Sequence, residues 1–272
     1  MSRLVTRFAT LREQGRTALI PYITAGDPQP SVTVPLMHAL VAAGADVLEL
    51  GVPFSDPMAD GPVIQAACER ALEHHVSLRQ ILDMVSTFRQ QDEQTPVVLM
   101  GYLNPVEVMG YEVFSRAAHE AGVDGVLTVD LPPEEAQDLL VSLKAEGLDP
   151  IFLAAPTSDD ERIRLMSRAG GGFLYYVSFK GVTGANRLDV QSVKDKLTQI
   201  RANTELPVGV GFGISDAESA ARIAEFADAV VVGSALVKRI AALLDSPEQI
   251  PVQAPQVIAE MRVAMDRVVA TS

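Results

Sequence analysis

The sequence contains one cysteine, Cys68, in 272 residues. That excludes an internal disulfide and any cysteine-based metal cluster, and Cys68 reads as a small buried residue on a helix. Long apolar runs are also missing: the longest are strand-sized, well short of the ~20 residues that span a bilayer. The N-terminal residues 1–8 lack an apolar signal core before a small-residue cleavage site. A cytoplasmic location and no membrane association are therefore expected. Basic residues are few, with 22 Lys and Arg against 35 Asp and Glu and a net charge of −13. An acidic surface argues against nucleic acid and anionic membrane as partners. It also repels a phosphorylated substrate at long range, so such a substrate would have to be held by backbone donors and helix N-termini. The four histidines have no carboxylate or cysteine spacing that suggests a metal site. His74 and His75 end a helix, and His38 and His119 read as surface residues on helices. No low-complexity linker interrupts the chain, so residues 1–272 are expected to form a single domain, although length alone would allow two.

What the sequence does contain is a regular alternation. Buried-strand patterns at 18–23, 47–50, 96–102, 125–129, 150–154, 173–177, 207–210 and 229–232 alternate with amphipathic helical stretches. The first and eighth strands begin at residues 18 and 229, which gives about 30 residues per interval, the length of one β-α unit. Eight such units close a barrel, whereas a doubly wound open sheet usually has fewer strands and a glycine-rich first turn. The expected fold is an α/β (β/α)8 TIM barrel. Extra helices are expected at the N-terminus (4–14), after strand 2 (63–74 and 78–90) and after strand 8 (235–244 and 255–268).

The most informative stretch begins as the second strand and ends in a turn rich in Pro, Gly and Asp. Side chains alternate along a strand, so Leu48 and Leu50 face one side and Val47, Glu49 and Gly51 the other. The leucines suit a covering layer of helices, which leaves Glu49 facing inward. An unpaired buried carboxylate costs several kcal/mol or takes a raised pKa. In a barrel of this kind the active site lies at the C-terminal strand ends, where Glu49 is joined by Asp60 in the following loop. Two carboxylates in different surroundings can hold different protonation states. Glu49 is expected to exchange a proton, and Asp60, in a polar loop, to stay ionised opposite a developing positive charge. The competing readings are a structural ion pair for Glu49 and a helix-capping role for Asp60 before Pro62.

Two further features belong to the same end of the barrel. Gly211, Phe212, Gly213 and Gly233, Ser234 follow strands seven and eight, where such barrels often bind phosphate on loop amides. The loop 178–187, with Phe179, Lys180, Thr183 and Gly184, has the length and glycine hinges of a lid, although a plain surface loop has the same composition. Lys180 reads as a lid lysine or as a Schiff-base lysine.

The residues Leu48-Glu49-Leu50-Gly51-Val52-Pro53-Phe54-Ser55-Asp56-Pro57, followed by Asp60-Gly61-Pro62, resemble the signature of the tryptophan synthase alpha-chain family. The resemblance continues through residues 21–28, 130–132, 181–184 and 211–214 and covers essentially the whole chain. It implies a lyase of tryptophan biosynthesis that cleaves indole-3-glycerol phosphate, in retro-aldol fashion, to indole and glyceraldehyde 3-phosphate. Glu49 would then protonate indole C3 and take the glycerol hydroxyl proton, and Asp60 would hold the indole N–H. Tyr175 would assist near the glycerol chain. Met100, Leu127 and Phe212 would line the indole pocket, and Thr183 would fix the closed lid. Gly184, Gly213, Gly233 and Ser234 would hold the phosphate. No cofactor is implied in this chain. Pyridoxal phosphate is expected in a partner beta subunit that receives the indole, within an alpha2-beta2 heterotetramer, with residues 53–58 and 131–133 towards that partner. The sequence departs from well-known members at Tyr22, where they carry Phe, and at Phe179-Lys180, where they carry Arg-Ser. Rival readings are another phosphate-binding barrel isomerase, an aldolase using Lys180, and a non-catalytic subunit that only activates its partner.

Overall fold

The structure is a computed structural model that describes residues 2–178, 190–211 and 213–269. Among these residues nine strands form one sheet with every pairing parallel: β1 (Ala18–Thr24), β2 (Leu48–Gly51), β3 (Val97–Gly101), β4 (Gly125–Thr128), β5 (Asp149–Ile151), β6 (Leu153–Ala154), β7 (Leu174–Val177), β8 (Val208–Gly211) and β9 (Ala229–Val232). The order β5-β4-β3-β2-β1-β9-β8-β7-β6 puts β5 and β6 at the two ends, and only Phe152 separates them in the chain. The circle of strands is therefore completed by the chain itself. Tyr175 N–H donates to the Phe152 carbonyl at 3.0 Å, so the gap in the ladder is a kink and not an open edge. The fold is the expected TIM barrel, with the single strand expected at 150–154 divided in two.

Alternation along the strands creates two apolar layers. Leu19, Ile23, Leu48 and Leu50 belong to the outer layer packed against the helices. Ala18, Ile20, Val47, Val98, Phe173 and Val231 fill the barrel interior. The opening helix, Arg3–Glu13, packs Leu4, Phe8 and Leu11 into that interior. Phe8 lies 5.6 Å from Phe173, and a Cβ placed on Gly125 or Gly172, which precede or open β4 and β7, would meet Leu4 at 3.0 Å. This helix thus closes the N-terminal mouth. Buried charges at that end are paired. Asp124 accepts from Arg89 at 2.8 Å, from Arg3 at 2.9 Å and from the Val97 amide at 2.8 Å. Asp46 pairs with Arg262 at 3.2 Å and accepts the Leu19 amide.

The helical layer departs from expectation in several places, including a short helix Ile250–Gln253 between the two closing helices. A helix Leu103–Met109 precedes the one that the sequence pattern predicts over 114–120, which runs Tyr111–Ala121. Its Pro105 sits in the first turn, where a missing N–H costs nothing. After β4 the sequence pattern predicts a helix over 134–146, and the chain becomes helical at Gln137, three residues later. His38 is half-buried rather than superficial, its ring 4.7 Å from Phe88, because the helix Pro30–Ala42 packs against Leu78–Arg89.

Candidate active site

The second strand presents Glu49 where alternation predicts, between Tyr22 of β1 and Val98 of β3 in register. It is 1 % exposed, and its Oε1 has no hydrogen-bond partner. No basic side chain pairs with it among the described residues, in contrast to Asp124 and Asp46 at the opposite end. The ion-pair reading therefore does not describe it. Burial, and then the nearby Asp60 carboxylate, push its pKa up to about 8.

Asp60 reaches the site through the proline-rich loop after β2. The residue capping the helix Pro62–Glu73 is Gly61, with no side-chain cap bond, so Asp60 is not the cap. Its Oδ2 instead accepts the Tyr102 hydroxyl at 3.0 Å, and Tyr102 in turn accepts the Ala59 amide at 2.9 Å. The Phe54 ring stacks on Tyr102 at 5.2 Å, and Gln65 donates to the Asp60 carbonyl at 2.8 Å. Asp60 is half-buried, more enclosed than a polar loop suggests. Burial raises its pKa and the Tyr102 hydrogen bond opposes the rise. Glu49, the more deeply buried of the two and without a donor on Oε1, is the carboxyl that burial and the Asp60 charge push furthest towards its protonated form.

Both carboxyl groups line a cavity of about 470 Å³ at the C-terminal strand ends. Its apolar wall includes Tyr22, Val63, Ile64 and Met100, and Gly213, Ile214, Gly233 and Ser234 also line it. Gly233 caps the helix Ser234–Ala241 without a side-chain bond, and the first amides of a helix have no intrahelical acceptor. Tyr175 also lines the cavity, buried on β7. Burial, and then Glu49, drive its hydroxyl pKa well above the ordinary phenol value.

Two tyrosines depend on facing glycines. A Cβ on Gly51 would lie 2.5 Å from Tyr22 Cζ, and one on Gly211 would lie 2.6 Å from Tyr175 Cζ. Each ring lies across the strand next to its own, over a position where a methyl would not fit. The Tyr22 hydroxyl is 3.2 Å from Thr24 Oγ1.

Of the other expected site residues, Leu127 is buried in the barrel interior and does not line this cavity. Thr183, Gly184 and Phe212 lie outside the described residues, as do Phe179, Lys180 and the loop segment 179–189. Cys68 is buried on the helix Pro62–Glu73, as expected. Several residues of the site went unassigned in the sequence, among them Val63, Ile64 and Ile214 of the cavity wall, Tyr102 and Lys238. Tyr102 directly follows β3, a strand-end position that could have signalled it. Lys238 gives no such signal.

The sequence pattern of the family described as Tryptophan synthase alpha chain matches residues 8–266. The chain belongs to that family. A tryptophan synthase alpha chain of Thioalkalivibrio sulfidiphilus is 67 % identical over 98 % of this chain and 100 % of its own length. One from Nitrosococcus oceani is 63 % identical over 98 % of each. Among solved structures, tryptophan synthase subunit alpha of Legionella pneumophila superposes with a TM-score of 0.92 at 46 % identity, covering 98 % of this chain and 99 % of that one. The chain is accordingly similar to lyase subunits of tryptophan biosynthesis along almost its entire length.

Proposed function

We propose that the chain cleaves indole-3-glycerol phosphate to indole and glyceraldehyde 3-phosphate, with Glu49 as the proton-carrying group. The observation that carries this reading is the buried, unpaired Glu49 in the same cavity as Gly213 and the open start of the helix Ser234–Ala241.

The steps balance without a further reactant. Glu49 gives its proton to indole C3, and the ring becomes an indolenine cation with charge on N1. Asp60, held by Tyr102, accepts the indole N–H and stabilises that cation. The glycerol hydroxyl next to the ring loses its proton to the Glu49 carboxylate. The carbon–carbon bond breaks, its electron pair returns to the ring, and the hydroxyl carbon leaves as the aldehyde. The protonated ring is the electron sink, so this chain uses no cofactor of its own. Met100, Tyr22 and Ile64 supply an apolar wall for the indole, and Tyr175 lies towards the glycerol chain. Gly213, Gly233 and Ser234 hold the phosphate on backbone amides. Leu127 supports Met100 from within the barrel, since Met100 packs against the interior cluster that contains it.

Family membership implies a beta-chain partner. The reading adds an alpha2-beta2 assembly, a cytoplasmic location, and pyridoxal phosphate in the partner. Residues 53–58 and 131–133 would face that partner; Met58 is 85 % exposed, unusual for a large apolar side chain. No helix among the described residues is long and apolar enough to cross a membrane.

The test is incubation of the purified chain with indole-3-glycerol phosphate, with indole and glyceraldehyde 3-phosphate both quantified. Equimolar release supports the reading. Borohydride trapping of a covalent adduct would replace it with an imine-forming aldolase.

A further inference from the structure

Lys238 is the one basic side chain lining the cavity among the described residues. It sits in the helix Ser234–Ala241, four residues after Ser234, and is exposed. Residues four apart share a helix face, and every Cα–Cβ bond tilts towards the helix N-terminus. A lysine at this position therefore leans back over the opening turn. One turn is about 5.4 Å long, a distance the four-carbon stem of lysine spans. The ammonium group has no ion-pair partner among the described residues, although the protein carries 35 acidic residues. Its neighbours Leu236 and Val237 are buried and fix the helix against the barrel, so the position of the stem is set by a rigid element.

The electrostatic setting makes that cation matter. A protein of net charge −13 repels a dianionic phosphate, and the cavity adds the Asp60 carboxylate. Backbone amides at the start of the helix provide short-range donors but no net charge. The geometry points to Lys238 as a specificity-determining residue that recognises the phosphate of the substrate, so that the phosphorylated ligand is preferred over its dephosphorylated form. This rests on the cavity being the indole-3-glycerol phosphate site proposed above. The contact is made from an exposed side chain, so the expected contribution is on the order of fivefold in affinity, the range of a solvent-facing charge contact.

The test uses the full-length chain and two probes, indolepropanol phosphate and indolepropanol, with Kd measured by titration calorimetry for wild type, Lys238→Gln and Lys238→Arg. Lys238→Gln should weaken indolepropanol phosphate about fivefold, leave indolepropanol unchanged and flatten the salt dependence of phosphate binding. Lys238→Arg should restore most of the loss. Equal phosphate affinity in wild type and Lys238→Gln overturns the assignment. So does equal weakening of both probes, which marks a structural role. If wild type binds indolepropanol phosphate no better than indolepropanol, Lys238 recognises no phosphate there and the inference falls. If wild type binds neither probe, the proposed reaction falls as well.

Discussion

Tyr102 and Asp60 are 42 residues apart in sequence and joined by a 3.0 Å hydrogen bond in which the tyrosine donates. Tyr102 also receives the Ala59 amide, so a single side chain fixes both the backbone and the carboxylate of the loop. In Tyr102→Phe, Asp60 loses the donor that lowers its pKa, and the pKa rises further. The acidic limb of the kcat/KM profile should move to higher pH, and stability should fall by about 1 kcal/mol. A pH–rate profile alongside a urea titration checks both. An unmoved acidic limb would detach Asp60 from catalysis.

Glu49 gives a stability prediction of opposite sign to its catalytic one. Its native pKa, about 8, lies above the ordinary value of 4.5. Between those values the native state keeps a proton that the unfolded state has lost. Stability from this group is therefore full below about pH 4.5, declines as pH rises towards 8, and levels off above that. Glu49→Gln removes the penalty. It should be more stable than wild type at pH 8 by a few kcal/mol, with the difference vanishing towards pH 4.5. Denaturant titrations at several pH values test this; a less stable variant at pH 8 would contradict the burial argument.

The tyrosine–glycine contacts predict a coupled pair. Gly51→Ala places a methyl against the Tyr22 ring and should cost about 1–3 kcal/mol, the usual penalty for overpacking. In a Tyr22→Ala background the same change should cost much less. A double-mutant cycle by urea denaturation measures the coupling, and additive losses would show that Tyr22 already has room to move.

How much of this was legible in the sequence depends on the distance over which each feature is decided. Glu49 was legible because alternation along one strand assigns its side, and Leu48 and Leu50 assign the other. The eight-fold strand–helix rhythm was legible for the same local reason. The hold of Tyr102 on Asp60 was not, since it is a tertiary contact between two loops. The break at Phe152 was hidden because it is set by tertiary pairing: β5 pairs with β4 and β6 with β7. The helix Leu103–Met109 was concealed by Asn104-Pro105, which reads as a turn although proline is at home in a first helical turn. Lys238 looked like any exposed helical lysine until the barrel brought its helix to the cavity.

The helix closing the N-terminal mouth predicts a separation of stability from catalysis. Leu4→Ala should destabilise by about 2–5 kcal/mol, because Leu4 is fully buried. Turnover per folded molecule should remain near wild type, since the cavity lies at the other end of the strands. Thermal unfolding together with kcat at low temperature tests this; a large loss of kcat in folded protein would contradict it.

The most direct measurement is the rate of indole release from indole-3-glycerol phosphate by Glu49→Gln, with folding verified by circular dichroism. Losing a general acid and base typically costs ~10²–10⁴-fold, and the account predicts a loss in that range in a folded, stabilised protein. Release within about threefold of wild type, far smaller than that loss, would contradict the central role given to Glu49.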